Sequence, residues 1–153
     1  MNRLAAGVFS GIALAVASAH LQASVVTRCT NPSGHAYFYS GGIVPATNAG
    51  WQRDGISNGQ YLLLRDKDGG FDVVYSDAMG RTVSTKEDGG TVLIAHDAEE
   101  KIVLLVIYPR MNIETWMFMI NSRGVGKVSV SQARFGDEAV ARKHSLMAGD
   151  CRR

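Results

Sequence analysis

From Tyr61 onward, short apolar segments alternate with turn-forming segments, and this rhythm restricts the chain to an all-β fold. The turns carry glycines, as in residues 66–70 and 86–90, which supply the positive φ that a tight connection between strands requires. Because the turn signals recur every roughly eight to twelve residues, they predict an antiparallel meander closed as a small barrel or folded as a sandwich. The predicted strands cover residues 61–65, 71–76, 81–85, 91–96, 101–108, 113–120 and 127–134.

Two further segments add detail to this fold. Residues 137–143 predict one short helix near the C-terminus, capped by Asp137, with its acids first and its bases last. Residues 102–107 are apolar without alternation, which is typical of a strand buried on both faces. We therefore expect residues 45–59 or 137–147 to cover the outside of the sheet there.

The N-terminus predicts export. Arg3 precedes an apolar run over residues 4–16 and a small-residue triplet ending at Ala19, which is the pattern of a secretory signal peptide over residues 1–19. Cleavage after Ala23 and an uncleaved anchor are the alternatives. Residues 20–153 then form a single domain, located in the periplasm or secreted.

The chain has two cysteines, Cys29 and Cys151. In the oxidising compartment that the leader predicts, they are expected to form one disulfide that joins the two ends of the domain. A structural bridge is favoured over a redox pair because the spacing is not Cys-x-x-Cys. Lipidation at Cys29 is rejected, since the preceding residue should be small and is Arg28.

The charge balance excludes some partners. The full chain has 16 Lys and Arg against 14 Asp and Glu. Loss of Arg3 with the leader reduces the formal net charge from +2 to +1. Because positive and negative charges nearly balance, the sequence predicts neither nucleic acid nor an anionic membrane surface as a partner.

No residue pattern predicts catalysis, a metal or a cofactor. Ser57 lies in a Gly-x-Ser-x-Gly match, but a buried strand does not precede it and a strand rather than a helix follows, so a turn is the better interpretation. The chain has four histidines, and none has a second histidine three or four residues away, as a metal-binding pair would: His20, His35, His96 and His144.

The candidate contact surface lies in residues 31–60, where aromatic residues meet a long glycine-rich connection. Tyr37 and Tyr39 share one face of a predicted strand, and Trp51 and Arg53 follow the connection. Long connections often bind ligands or partners, so these four residues are the predicted contacts. The alternative is a loop that covers the core, anchored by Trp51 and Ile56.

Residues 29–38 combine Cys29, Pro32, Gly34 and Tyr37, and a Gly-Trp-Gln-Arg-Asp sequence follows from position 50. With the terminal cysteine, this pattern resembles small exported proteobacterial proteins over most of the mature chain. The resemblance implies a secreted or periplasmic bacterial domain and assigns no activity or functional residue. On architecture alone, the chain is similar to the periplasmic inhibitors of c-type lysozyme, which are small disulfide-bearing β-barrels.

These observations favour a non-enzymatic exported β domain that binds a protein or a cell-envelope component. One alternative is a carrier that encloses a small apolar ligand in a β-barrel. The other is a small hydrolase that uses Ser57 or a carboxylate.

Overall fold

The computed structural model describes residues 23–76, 80–137 and 139–153. The predicted signal peptide lies outside these ranges. In the described ranges, ten antiparallel strands form one strongly curled sheet, a half-barrel, and the predicted all-β class is confirmed. The strands are β1 Ser24–Phe38, β2 Gly50–Gly55, β3 Gln60–Arg65, β4 Phe71–Ser76, β5 Thr82–Ser84, β6 Thr91–Ala98, β7 Lys101–Tyr108, β8 Asn112–Ile120, β9 Val125–Arg134 and β10 Lys143–Arg152.

The order of strands across the sheet is β5-β4-β3-β1-β10-β9-β8-β7-β6, and β2 also pairs with β1. A simple meander therefore accounts for β3 to β5 and for β6 to β10, while β1 lies between these two groups. The edge strands β5 and β6 are joined along the chain by residues 85–90. An ion pair between Arg65 and Asp97, 2.7 Å long, links the β3 end to β6.

Strand β1 changes partners along its length because it bends at Asn31 and Pro32. Asn31 has a φ of 54°, and the register of β1 against β10 shifts between Thr30 and Ser33. Proline fits such an irregularity because it has no N–H to donate to the ladder. Before the bend β1 pairs with β3, and after it β1 pairs with β2. The bend thus places β2 and its side chains beside the second half of β1.

The core lies on the concave face of the half-barrel. Alternation is strict in β8, where every second residue from Asn112 to Ile120 is buried. Trp116 contacts Tyr61 edge to face at 4.8 Å and stacks on Phe118 at 6.1 Å. The other large apolar side chains on this face include Leu63, Phe71, Val73, Ile102, Leu104, Val106, Val128, Val130 and Met147.

The predicted disulfide is confirmed. Cys29 and Cys151 are direct cross-strand partners in β1 and β10, their Cα atoms are 4.0 Å apart, and 122 positions separate them in the sequence. Both are buried on the concave face. The bridge therefore joins the first and last strands at the centre of the sheet, and a disulfide indicates an oxidising location outside the cytoplasm.

The prediction of a short helix over residues 137–143 is wrong. In the described part of this segment, which excludes residue 138, the chain is irregular from Ala139 to Arg142 and Lys143 already begins β10. The Arg142 carbonyl accepts a hydrogen bond from the Tyr39 backbone N–H at 3.0 Å. A helix of seven residues is marginal in isolation, so pairing of β10 with β1 and β9 outweighs it.

The prediction that residues 102–107 are buried on both faces is also wrong. In β7 the burial alternates, and Val103, Leu105 and Ile107 on the convex face are only half-buried. The two segments expected to cover them supply strands of the same sheet, β2 and β10. The convex face of β7 thus stays accessible to solvent.

Candidate functional site

The convex face carries an exposed aromatic cluster, which we call the aromatic surface and define as Tyr37, Tyr39 and Trp51. Tyr37 and Trp51 are cross-strand partners in β1 and β2. The centroid of the Tyr37 ring lies 5.1 Å from that of Tyr39 and 5.6 Å from that of Trp51, both in edge-to-face geometry. Trp51 is 73% exposed and Tyr39 is 50% exposed. Three of the predicted contact residues therefore lie together and face solvent.

This exposure contradicts the alternative in which Trp51 anchors a loop over the core. Trp51 lies in β2, an edge strand that pairs with β1 alone among the described strands. Ile56, the other expected anchor, is half-buried in the turn region after β2. Part of the long connection is thus ordered as a strand that displays its aromatic side chain.

A groove of about 510 Å³ opens beside the aromatic surface. Tyr37 and Tyr39 form part of its wall, and Phe135, 49% exposed, forms another part. The basic side chains that line it are Arg134, Arg142, Lys143 and His144, of which Lys143 is paired with Asp54. The groove therefore combines aromatic rings with positive charge.

Arg53, the fourth predicted contact, borders a different hollow. It is exposed on β2 opposite His35 of β1, two residues from Trp51. The hollow it lines also includes Ser57, which lies in an exposed turn between β2 and β3. Strand β3 is the element that follows Ser57, whereas a nucleophile elbow requires a helix there.

The described histidines belong to no cluster of potential metal ligands. His35, His96 and His144 are exposed on β1, β6 and β10, and His20 lies outside the described residues. Within residues 23–76, 80–137 and 139–153, no group of three or more His, Cys, Asp or Glu is placed to hold a metal ion. The same residues include no helix long and apolar enough to cross a membrane.

The concave face holds a polar cluster that sequence reasoning missed. Glu114 is only 4% exposed, and its carboxylate accepts three hydrogen bonds from neutral side chains. Asn112 Nδ2 and Gln132 Nε2 donate to Oε1 at 2.7 and 2.6 Å, and Trp116 Nε1 donates to Oε2 at 2.8 Å. The signal was present in the sequence, because a period of two along β8 places Glu114 on the same face as Trp116 and Phe118.

Two hollows adjoin this cluster, of about 90 and 230 Å³. Tyr75, Glu114 and Arg134 line both of them. The smaller one also borders Lys143, which forms an ion pair with Asp54. The concave face thus ends in a polar region rather than in a uniformly apolar cavity.

Three tyrosines around Glu114 have a raised pKa. Burial raises the pKa of Tyr75 to about 12, with further contributions from the negative charges of Asp88 and Glu114. Burial and the charge of Glu114 also raise the pKa of Tyr61 and of Tyr108. The folded protein therefore favours the neutral phenol at each position.

The raised pKa values predict loss of stability in alkali. In the unfolded chain these phenols have a pKa of about 10, so above that pH the unfolded state releases protons that the folded state retains. The stability that the neutral phenols contribute is fully present below about pH 10, and it falls as the pH rises toward the pKa of Tyr75 in the folded protein, about 12. The urea midpoint measured from pH 8 to 12 is expected to fall less steeply in Tyr108→Phe than in the wild type. Equal slopes for the two proteins would contradict the assignment.

In comparisons with protein-family models, curated proteins and solved structures, none matches this chain. By its fold, the described part of the chain is a half-barrel of ten antiparallel strands bridged by one disulfide.

Proposed function

We propose that the protein is a non-enzymatic binding domain, exported to the periplasm or secreted after cleavage of its leader, which contacts a protein or a cell-envelope component. The aromatic surface is the contact region. The observation that carries the proposal is the clustering of three solvent-facing aromatic side chains on and beside an edge strand. Large aromatic residues are enriched at binding hot spots, and they are a poor choice for a surface that contacts only water.

The adjoining groove suggests the chemistry of the partner. Its basic lining suits an anionic group, such as an acidic peptide segment or an acidic envelope glycan, and the aromatic rings suit an apolar or sugar face next to it. Among the described strands β2 pairs with β1 alone, so its other backbone edge is one that an extended segment of a partner could join. The resemblance to small exported proteobacterial proteins agrees with this placement and remains a prediction.

The same geometry gives less support to the two alternatives, a carrier of a small apolar ligand and a small hydrolase. Both hollows on the concave face border Glu114 and Arg134, and charged walls suit an apolar ligand poorly. For a hydrolase, Ser57 is exposed in a turn that leads into strand β3 rather than into the helix of a nucleophile elbow.

Trp51→Ala is expected to lower affinity for the partner at least about tenfold, because truncating a central aromatic anchor removes most of its contact area. Since Trp51 is 73% exposed, the melting temperature should change by no more than about 2 °C. The measurement is quantitative capture from soluble and envelope fractions of the producing cell on immobilised protein, followed by titration of the captured component.

Val25→Ala is the matched control, since Val25 is 58% exposed near the other end of β1. It should retain full binding. Equal capture by Trp51→Ala and Val25→Ala would refute the contact surface, and a collapse of stability in Trp51→Ala would make Trp51 a structural residue.

A further inference from the structure

Two residues that line the larger hollow on the concave face each carry a buried polar atom that lacks a hydrogen-bond partner among the described residues. Tyr108 is 4% exposed and Asn112 is 6% exposed, and both line the hollow of about 230 Å³. Within the described ranges, neither the Tyr108 hydroxyl nor Asn112 Oδ1 has a hydrogen-bond partner. Leaving a buried polar group without a hydrogen bond is unfavourable, so such a group calls for an explanation such as a bound water or a ligand.

The orientation of Asn112 follows from chemistry. Glu114 as a carboxylate can only accept hydrogen bonds, so the amide group that faces it must be Nδ2, and Oδ1 is left as a free acceptor. Glu114 Oε2 accepts one bond, from Trp116, and an ionised carboxylate oxygen can accept two. The site therefore offers acceptors to a ligand that carries N–H or O–H groups.

The charges lining the hollow narrow the class of ligand. Arg81 and Arg134 stand against Asp88 and Glu114, so the formal charges cancel. The arginines would repel a cation, and the acidic side chains would repel an anion. A hydroxyl group can both donate and accept, so a neutral ligand with several hydroxyls could use acceptors such as Asn112 Oδ1 and donors such as Arg134.

We propose that this hollow, built from Tyr108, Asn112, Glu114 and Arg134, binds a neutral polyhydroxyl ligand of monosaccharide size. The rings of Tyr75 and Tyr108 and the apolar side chain of Met111 complete the wall. Aromatic and apolar groups beside hydrogen-bonding groups suit a sugar ring, whose C–H face is apolar and whose edge is polar. The aromatic surface lies on the opposite face of the sheet, and Arg134 lines both this hollow and the groove beside that surface.

The test is a titration of the full-length mature protein with three sugars that share one ring: glucose, protonated glucosamine and glucuronate. The chain has two tryptophans, so two indole N–H signals report in an NMR spectrum. Trp116 Nε1–H donates to Glu114 inside the site, whereas Trp51 lies outside it. We expect glucose to shift the Trp116 signal with a dissociation constant of about 1 mM or lower, while the Trp51 signal stays fixed.

Tyr108→Phe removes only the unpartnered hydroxyl, so the variant should fold as well as the wild type and bind glucose about tenfold more weakly. Trp51→Ala should bind glucose unchanged, which separates this site from the proposed partner contact. Tighter binding of glucosamine or glucuronate than of glucose would overturn the proposal. The proposal would also be overturned if none of the three sugars shifted the Trp116 signal, since the polar atoms would then hold water only. Because this result is measured on the wild type, it tests the proposal even if Tyr108→Phe does not fold.

Discussion

Replacing Cys29 and Cys151 together with alanine is expected to lower the free energy of unfolding by about 5 kcal/mol, which approaches the whole net stability of a typical domain. The bridge spans 122 positions and thereby removes much of the conformational freedom of the unfolded chain. Urea unfolding of the oxidised wild type, the reduced wild type and the double variant measures the effect. The two forms without the bridge should unfold at nearly the same denaturant concentration.

Because the bridge is buried, the rate of its reduction provides a control for this experiment. Cys29 and Cys151 are 0% and 1% exposed, so a reductant should reach the disulfide only when the sheet opens. Reduction under native conditions should therefore be slow and should accelerate in mild denaturant. An unchanged unfolding midpoint after complete reduction would show that the pairing of β1 with β10 holds the ends without covalent help.

Gly126→Ala is expected to destabilise the protein by at least about 3 kcal/mol, which is large for the addition of one methyl group. A Cβ atom at Gly126 would lie 1.9 Å from the Met119 carbonyl oxygen and 2.7 Å from the Ile120 Cα. Both obstacles are backbone atoms of the neighbouring strand, so no change of rotamer relieves the clash. Gly34 in β1 is equally close to the Leu146 carbonyl oxygen, at 1.9 Å.

These glycines lie on the concave face, where the curl of the sheet brings adjacent strands together. Ser129→Ala is the matched control, because Ser129 lies on the convex side of the same strand β9 and is half-exposed. Thermal unfolding of the two variants should differ clearly, with Ser129→Ala within about 0.5 kcal/mol of the wild type. Equal stability of both variants would mean that the sheet flattens at Gly126 without cost.

Much of the sheet could be predicted from local patterns. The predicted bounds of β4 and β7 are identical to the observed ones, because a glycine-bearing turn or a Pro-Arg pair limits each strand in the sequence. Strand β2 was not predicted. It forms because the bend at Pro32 frees the second half of β1, and such pairing depends on a partner distant in the sequence.

The two candidate sites differ in how far the sequence revealed them. Tyr37, Tyr39 and Trp51 were predicted contacts; Tyr37 and Trp51 are cross-strand partners, and Tyr39 directly follows β1. Glu114 was missed because its donor Gln132 is 18 positions away and comes close only when β8 pairs with β9. A lone acid within an apolar strand signals a buried carboxylate only once its face of the sheet is assigned.

The sequence by itself determined the all-β class, most of the strands and the disulfide, because turn chemistry, alternation and two cysteines are local or uniquely paired features. Only the tertiary structure decided the strand order, the curl of the half-barrel, the exposure of Trp51 and the buried surroundings of Glu114. These depend on which strands pair and in what register. Register is fixed by contacts between residues far apart in the chain, which outweigh local preferences such as the expected helix at residues 137–143.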